Sequence, residues 1–427
     1  MVRQTLSGTV LEQLRHNDLR GMVEGAPRFV RQRLPVSLWP SLVIDPRNRA
    51  DEVVTLREKP PLSVTYDSAF DEAPPHQMAD FLGTISRPEN AVYVYHDVDV
   101  IGRYPTARID GKYLLPSWLG VNTPFFLHQQ KFLKREVPLT RLLRHAVSDS
   151  EPSRHLDTAF LLNDERGSHR YAWLHETLPK LRWFEGYCEA TGEDPTLIVN
   201  SPLAEFQRQT LALDGVPARR LARTRRGDHP RREAGHRPPP HPAQGQAQFG
   251  YATEVGWTGR RIKENLPPVE RDFANRVYIS REDAHRRHVR NKETVFEALD
   301  ERGFERYEPG RLSLAEQVKL FASADTFVGF HCPVYFNLMS CGGDTGLLEL
   351  FAENGVVSSY FVVANELGID YECLVCEPVH ESWNERPANK DVHVDLDRFT
   401  ERVDSLLGRR EADQPSDSTV SQSDRVR

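Results

Sequence analysis

The spacing of apolar residues changes along this chain. Up to about residue 150 they come in short alternating or apolar runs broken by Pro and Gly, such as Ala91–Val100 (AVYVYHDVDV) and the run KYLLPSWLGV from Lys112. Alternation punctuated by turn residues is the pattern of strands, so residues 1–150 read as a β-rich amino-terminal region. From Tyr171 the period lengthens. Trp173, Leu174, Leu178, Leu181, Phe184 and Tyr187 fall at helical spacings, with Pro179 either kinking one helix or separating two. Pro195–Asn200 (PTLIVN) reads as a strand, followed by a helix with Ser201 as N-cap, Pro202 in its first turn and Gly215 at its end.

The carboxyl-terminal half repeats this alternation. Asn275–Ser280 is a strand ending at Arg281, and Glu293–Arg302 is a helix stopped by Gly303. Ser313 and Glu316 form a capping box that opens a helix with Leu314, Val318 and Phe321 on one face. TFVGF (Thr326–Phe330) and LLELF (Leu347–Phe351) are the next strands. Strands alternating with helices predict an α/β fold. The tail, residues 409–427, is polar and reads as disordered.

Composition changes this picture at one place. Ala218–Ala247 holds eight Arg, two acidic residues and almost no large apolar residue, so it carries +6 and leaves −13 on the other 397 residues. A basic arm, a disordered linker and out-of-frame translation of GC-rich DNA all produce such a segment. The third fits best, because an α/β domain should supply another strand and helix here. Overall net charge is −7, which gives no reason to expect nucleic acid as a partner. Five cysteines at irregular spacing favour a reducing compartment, and the lone pair Cys373/Cys376 reads as packing rather than as a redox or zinc site. No apolar run is long enough to span a bilayer, and no signal-peptide core begins the chain, so the expected location is cytoplasmic.

Two stretches suggest chemistry. Asp97 and Asp99 form an Asp-x-Asp pair, yet they alternate with valines on an expected strand, which reads as one solvated face. Val328–Asn337 (VGFHCPVYFN) follows a strand, and the carboxyl end of a parallel strand is where open α/β sheets bind ligands.

The run from Val277 to His331 (VYISREDAHRRHVRNKETVFEALDERGFERYEPGRLSLAEQVKLFASADTFVGFH) resembles glycosyltransferase family 61. That family shows a strand, then S-R-x-D-A-x-x-R-x-x-x-N-E, a helix to G-F, a helix containing E-Q, and a strand ending in V-G-P-H-G-A-G-L-T-N. YAWLHETLPKL (Tyr171–Leu181) is similar to its H-W-L-x-E-x-L-P-x-L, and the likeness extends over roughly Val92–Leu407. The resemblance implies a GT-B-like α/β fold of two Rossmann-like domains behind the β-rich front. The boundaries would be 151–265 on the acceptor side, interrupted by 218–247, and 266–408 for the nucleotide-sugar. It also implies an inverting transfer from a nucleotide-sugar to a cell-surface or exopolysaccharide glycan precursor, free or lipid-linked. No metal or other cofactor is expected, and a peripheral seat at the membrane is compatible with such an acceptor.

Mapped onto this chain, Arg281, Arg287, Asn291, Asn337 and Glu349 are candidates to hold the donor. Arg281 and Arg287 would clamp the diphosphate, and Glu349 would take the ribose hydroxyls. Glu176 is the candidate base, and His331 a catalytic donor or base. The chain departs from the family pattern in three respects. Cys332-Pro333-Val334 replaces Gly-Ala-Gly, Ala172 stands where a His precedes Trp173, and Lys292 stands where the family has Glu. These departures leave an alternative function: a degenerate, non-catalytic relative from a damaged gene, with residual nucleotide binding.

Overall fold

The computed structural model describes residues 43–44, 49–56, 61–68, 70, 72–85, 91–101, 106–110, 112–114, 154–162, 170–199, 202–223, 230–231, 234–235, 254–353, 355–379 and 390–413. The class is α/β, as the alternation of strands and helices implies.

Ahead of residue 115 the described strands are β1 (Val43–Ile44), β2 (Glu52–Thr55), β3 (Leu62–Val64), β4 (Gly83–Ile85), β5 (Ala91–Val94), β6 (Asp99–Ile101), β7 (Thr106–Ile109) and β8 (Lys112–Leu114). Most pair antiparallel: β2 with β5, β3 with β4, and β6–β7–β8 as a meander. Val98 and Val100 are buried, whereas Asp97 is exposed in the turn before β6 with φ 52°. Asp99 pairs with Arg108 at 2.8 Å.

The next strands are β9 (Arg154–His155), β10 (Ala159–Leu162), β11 (Thr196–Val199), β12 (Leu221–Arg223), β13 (Pro230–Arg231) and β14 (Ala234–Gly235). Four of them form a parallel sheet in the order β12-β11-β10-β14. Numbered from β10, this order is 3-2-1-4. The first six residues of the Arg-rich segment, a 3-10 turn at Ala218–Arg220 and strand β12, thus continue the α/β pattern. Ala222 is buried between neighbours on β12, and the Arg220 guanidinium pairs with Asp194 at 2.5 Å over the ring of Phe184. Most of residues 224–247 lie outside the described residues.

The helical run after β10 is irregular in a specific way. Arg170–Ala172 is α-helical, Trp173–Thr177 widens into a π turn, Leu178–Lys180 tightens into a 3-10 turn, and Leu181–Thr191 is α-helical up to Gly192 at φ 76°. Pro179 has no N–H for the helical ladder, so the turn preceding it reorganises. The helix expected from Ser201 begins later, at Glu205, and runs to Leu213. The Gln207 side chain accepts from the Ala204 N–H at 2.6 Å, and Arg208 takes the Leu203 carbonyl at 2.7 Å, which keeps Ala204 extended. Gly215 ends it with φ 79°.

The second parallel sheet contains β15 (Arg276–Ile279), β16 (Glu305–Tyr307), β17 (Thr326–Phe330), β18 (Gly346–Ala352), β19 (Asp370–Pro378) and β20 (Val392–His393). Their order is β16-β15-β17-β18-β19-β20, parallel except for β20. Alternate residues bury opposite faces, as strand geometry requires. Val277, Ile279, Phe327, Leu347 and Phe351 pack on the side of Val318, Phe321 and Phe361, from helices Leu314–Ser323 and Ser359–Leu367. Tyr278, Val328, Leu348 and Leu350 pack on the side of Val295, Phe399 and Val403, from helices Lys292–Asp300 and Leu396–Asp413. The parity of β19 also separates the CxxC thiols. Cys373 joins the first side and Cys376 the second, and burial pushes both thiols up to about 12.

The Ser313/Glu316 capping box forms as expected, with the Ser313 N–H donating to Glu316 at 2.8 Å and the Glu316 N–H to Ser313 Oγ at 3.2 Å. The boundary after Gly408 falls inside a helix, since Leu396–Asp413 continues and Arg409 is tied to Asp370 at 2.9 Å. Among the described residues no helix is long and apolar enough to cross a membrane.

Candidate active site

Counted from β15, the five parallel strands of the second sheet run 2-1-3-4-5, so the chain leaves β15 toward one sheet edge and returns past it to build β17. The crevice at the carboxyl ends of these two neighbours is the topological switch point, where open α/β sheets take ligands. Arg281 lies two residues beyond β15, and His331 is the first residue beyond β17.

Arg281 is half-buried and, among the described residues, has no carboxylate partner. Glu282, its neighbour, pairs instead with Lys292. The Arg281 guanidinium donates to the Arg286 carbonyl at 3.3 Å, while its Nε is buried without an acceptor. Arg287 stands beside it at φ 65°, a conformation non-glycine residues rarely adopt. Its Nη1 donates to the His331 carbonyl at 2.9 Å. Burial, and then the adjacent Arg281 charge, lower the Arg287 pKa. Two guanidinium groups held near one another beside a strand end present positive charge to the crevice.

The His331 side chain is 14% exposed. Its Nδ1–H donates to Glu349 Oε1 at 2.6 Å, and Glu349 Oε2 accepts from the Tyr371 hydroxyl at 2.7 Å. The imidazole stacks on Phe351 at 5.3 Å and tilts against Tyr360 at 5.4 Å between ring centres. Glu349, expected to meet ribose hydroxyls, is instead wholly buried with both oxygens engaged inside the protein. It lies on β18 between Leu347 and Phe351, on the face that His331 and Tyr371 share.

The floor of the loop is closed. Pro333 has no amide hydrogen. The Tyr335 N–H reaches the Cys332 carbonyl at 3.3 Å. Cys332 is buried, which raises its thiol pKa against the opposing pull of Arg281. Pro333 then opens a 3-10 helix, Pro333–Ser340, and Tyr360 donates to the Pro333 carbonyl at 3.2 Å. Gly329 makes room for this arrangement: a Cβ there would lie 2.7 Å from the Tyr335 hydroxyl and 2.9 Å from the Ile279 carbonyl.

The remaining expected residues sit elsewhere. Asn291 caps a distant strand end. Its amide donates to the Val394 carbonyl at 2.8 Å and accepts from the Val394 N–H at 2.9 Å, which occupies both ends of the side chain. Asn337 is wholly buried beneath the loop, donating to Gln317 at 3.3 Å, while Gln317 holds the Pro309 and Leu312 carbonyls. Glu176 is buried within the π turn.

Its neighbour His175, too far along the sequence to be expected as a substitute for the missing His, is brought in by that turn. Its Nε2–H donates to the Phe336 carbonyl at 2.9 Å, and its ring meets Tyr171 at 4.8 Å and Tyr360 at 6.2 Å. Burial lowers the His175 pKa to about 4, so it is a neutral imidazole. Tyr360 and Tyr371 were not foreseen either; nothing local in the sequence marks them. Among the described residues no three His, Cys, Asp or Glu side chains are grouped to hold a metal ion.

No curated protein matches the chain. Residues 171–348 match the family model described as Glycosyltransferase 61, a span that runs from Tyr171 to the residue before Glu349. This region, which carries Glu176, Arg281, Arg287 and His331, is thus similar to glycosyltransferase family 61, and the match supports a glycosyltransferase.

Proposed function

We propose that this protein transfers a sugar from a nucleotide-sugar, with inversion at the anomeric carbon, to a cell-surface or exopolysaccharide glycan precursor, free or lipid-linked. The observation that carries this reading is Arg281, a cation without a carboxylate partner among the described residues and with a buried, unsatisfied Nε, set beside Arg287 at the switch point. The departing diphosphate supplies the missing acceptors, and arginines take its charge in place of a metal ion. The two parallel sheets, ordered 3-2-1-4 and 2-1-3-4-5, support a GT-B-like arrangement with the donor on the second. Glu176 and His331 are the candidates for proton transfer at the acceptor hydroxyl. Five free thiols support a reducing, cytoplasmic setting.

The closed loop floor favours a second reading, in which the chain holds nucleotide weakly and transfers nothing. The two are separated by incubating the purified protein with a panel of nucleotide-sugars and glycan acceptors, then following nucleoside diphosphate release and the anomeric configuration of the product by NMR. Inverted product supports transfer. Nucleoside diphosphate binding with no turnover on any donor supports the second reading.

A further inference from the structure

The mechanism above leaves the buried carboxylate beside His331 unused. Glu349 is a carboxylate with no exposed surface and, among its hydrogen bonds, no arginine or lysine. A buried carboxylate is costly unless its lone pairs are met, and here two donors meet them: the Tyr371 hydroxyl and His331 Nδ1–H. Both contacts join sheet neighbours. Glu349 and Tyr371 lie on adjacent parallel strands, and His331 follows the strand on the other side.

We infer that Glu349 and Tyr371 are positioning residues for His331, and this rests on reading the crevice as a glycosyl-transfer site. The carboxylate accepts the Nδ1 proton, which fixes the tautomer and leaves Nε2 as the nitrogen with a lone pair. No described residue hydrogen-bonds to Nε2, while Phe351 and Tyr360 hold the plane of the ring. In the transfer step the acceptor hydroxyl gives its proton to Nε2 as its oxygen bonds to the anomeric carbon. The bond from that carbon to the diphosphate oxygen breaks, and its electron pair departs with the nucleoside diphosphate toward Arg281 and Arg287. The imidazolium so formed stays paired with Glu349. The arrangement has the logic of a nucleophile–His–carboxylate triad with the substrate hydroxyl in the nucleophile's place.

Tyr371 makes the inference testable. In Glu349→Gln the Tyr371 hydroxyl still donates, so it holds the Gln carbonyl and turns the amide NH2 toward His331. An NH2 cannot accept from Nδ1–H, so the imidazole must change to the Nε2–H tautomer and lose its lone pair at the cleft. In Glu349→Gln combined with Tyr371→Phe, the amide is free to turn back.

The experiment is nitrogen NMR of the full chain carrying labelled histidine, with the His331 signal assigned by its loss in His331→Gln. Nδ1–H is expected in the wild type, Nε2–H in Glu349→Gln, and a return toward Nδ1–H in the double variant. With an active donor and acceptor, kcat should fall by roughly 10²–10⁴-fold in Glu349→Gln with KM little changed, and recover in part in the double variant. An Nε2–H wild type, or a tautomer indifferent to Glu349→Gln, overturns the inference. A double variant slower than the single one reduces Glu349 to a packing role and also overturns it. The NMR readout needs no turnover, so failure to find any transfer would sink the proposed function while leaving the tautomer result to stand or fall separately.

Discussion

Arg287 reaches across from the loop after one strand to the end of the next, placing Nη1 2.9 Å from the main-chain oxygen of His331. The contact ties the two sides of the switch-point crevice together. It also explains why Arg287 keeps an unfavourable backbone conformation at φ 65°: the surrounding contacts hold it there. Arg287 therefore orders the loop as well as contributing charge, whereas among the described residues Arg281 donates to a single carbonyl, that of Arg286.

That difference leads to the first expectation. Arg281→Ala should weaken binding of a nucleoside diphosphate by about 1.5–3 kcal/mol, the range for hydrogen bonds to charged groups, with little change in melting temperature. Titration calorimetry on the two proteins decides it, and an unchanged affinity would remove Arg281 from the site.

Replacing Cys332-Pro333-Val334 by Gly-Ala-Gly should act in two directions. It adds an amide where Pro333 has none, so nucleotide should bind more tightly, by on the order of 1–2 kcal/mol for each amide that reaches a phosphate. It also removes the buried Cys332 side chain, which should lower stability by about 1–2 kcal/mol. Equal affinities for wild type and variant would show that the loop floor never meets the donor.

Asn291→Ala should affect folding rather than binding. The side chain makes two hydrogen bonds to Val394, which lies 103 positions away, and losing both leaves a main-chain donor and acceptor to be met otherwise. Denaturant titration should show a loss of about 1–3 kcal/mol, with nucleotide affinity unchanged. Weaker binding at full stability would restore Asn291 to the ligand site.

His175 should make the fold acid-sensitive. Its pKa is lowered by burial from 6.5 in the unfolded chain to about 4 in the folded one. The unfolded state therefore binds the proton first as pH falls, and stability declines from about pH 6.5 to about pH 4. The full effect is on the order of 3 kcal/mol. His175→Gln can still donate to the Phe336 carbonyl and should flatten that part of the stability–pH curve. A slope identical to wild type would mean that His175 is not the group responsible.

Gly259→Ala probes the packing beneath the loop. A Cβ on this residue of helix Val255–Glu264 would stand 1.7 Å from the Met339 carbonyl oxygen, a main-chain atom within the 3-10 helix that follows His331. Overpacking of this kind costs about 1–3 kcal/mol or more. A melting temperature equal to wild type would show that the two helices separate freely.

What the sequence determined by itself was local. TFVGF became β17 over the same five residues, because a short, largely apolar run after an amphipathic helix is satisfied by burial in a sheet. Ser313 and Glu316 closed their capping box because every partner it needs lies within three residues. Arg281 at the end of a strand was legible for the same reason. Tertiary structure decided what each polar side chain in the region touches.

Glu349 serves His331 and Tyr371, 18 and 22 positions away, instead of a ribose, and Asn291 is claimed by a strand end 103 positions away. His175 enters the neighbourhood because Pro179 breaks the helical ladder and a π turn re-aims the side chains ahead of it. Helix ends and strand periods follow from neighbours in the chain. The role of a buried carboxylate or amide follows from which donors the fold brings to it, and no local pattern encodes that.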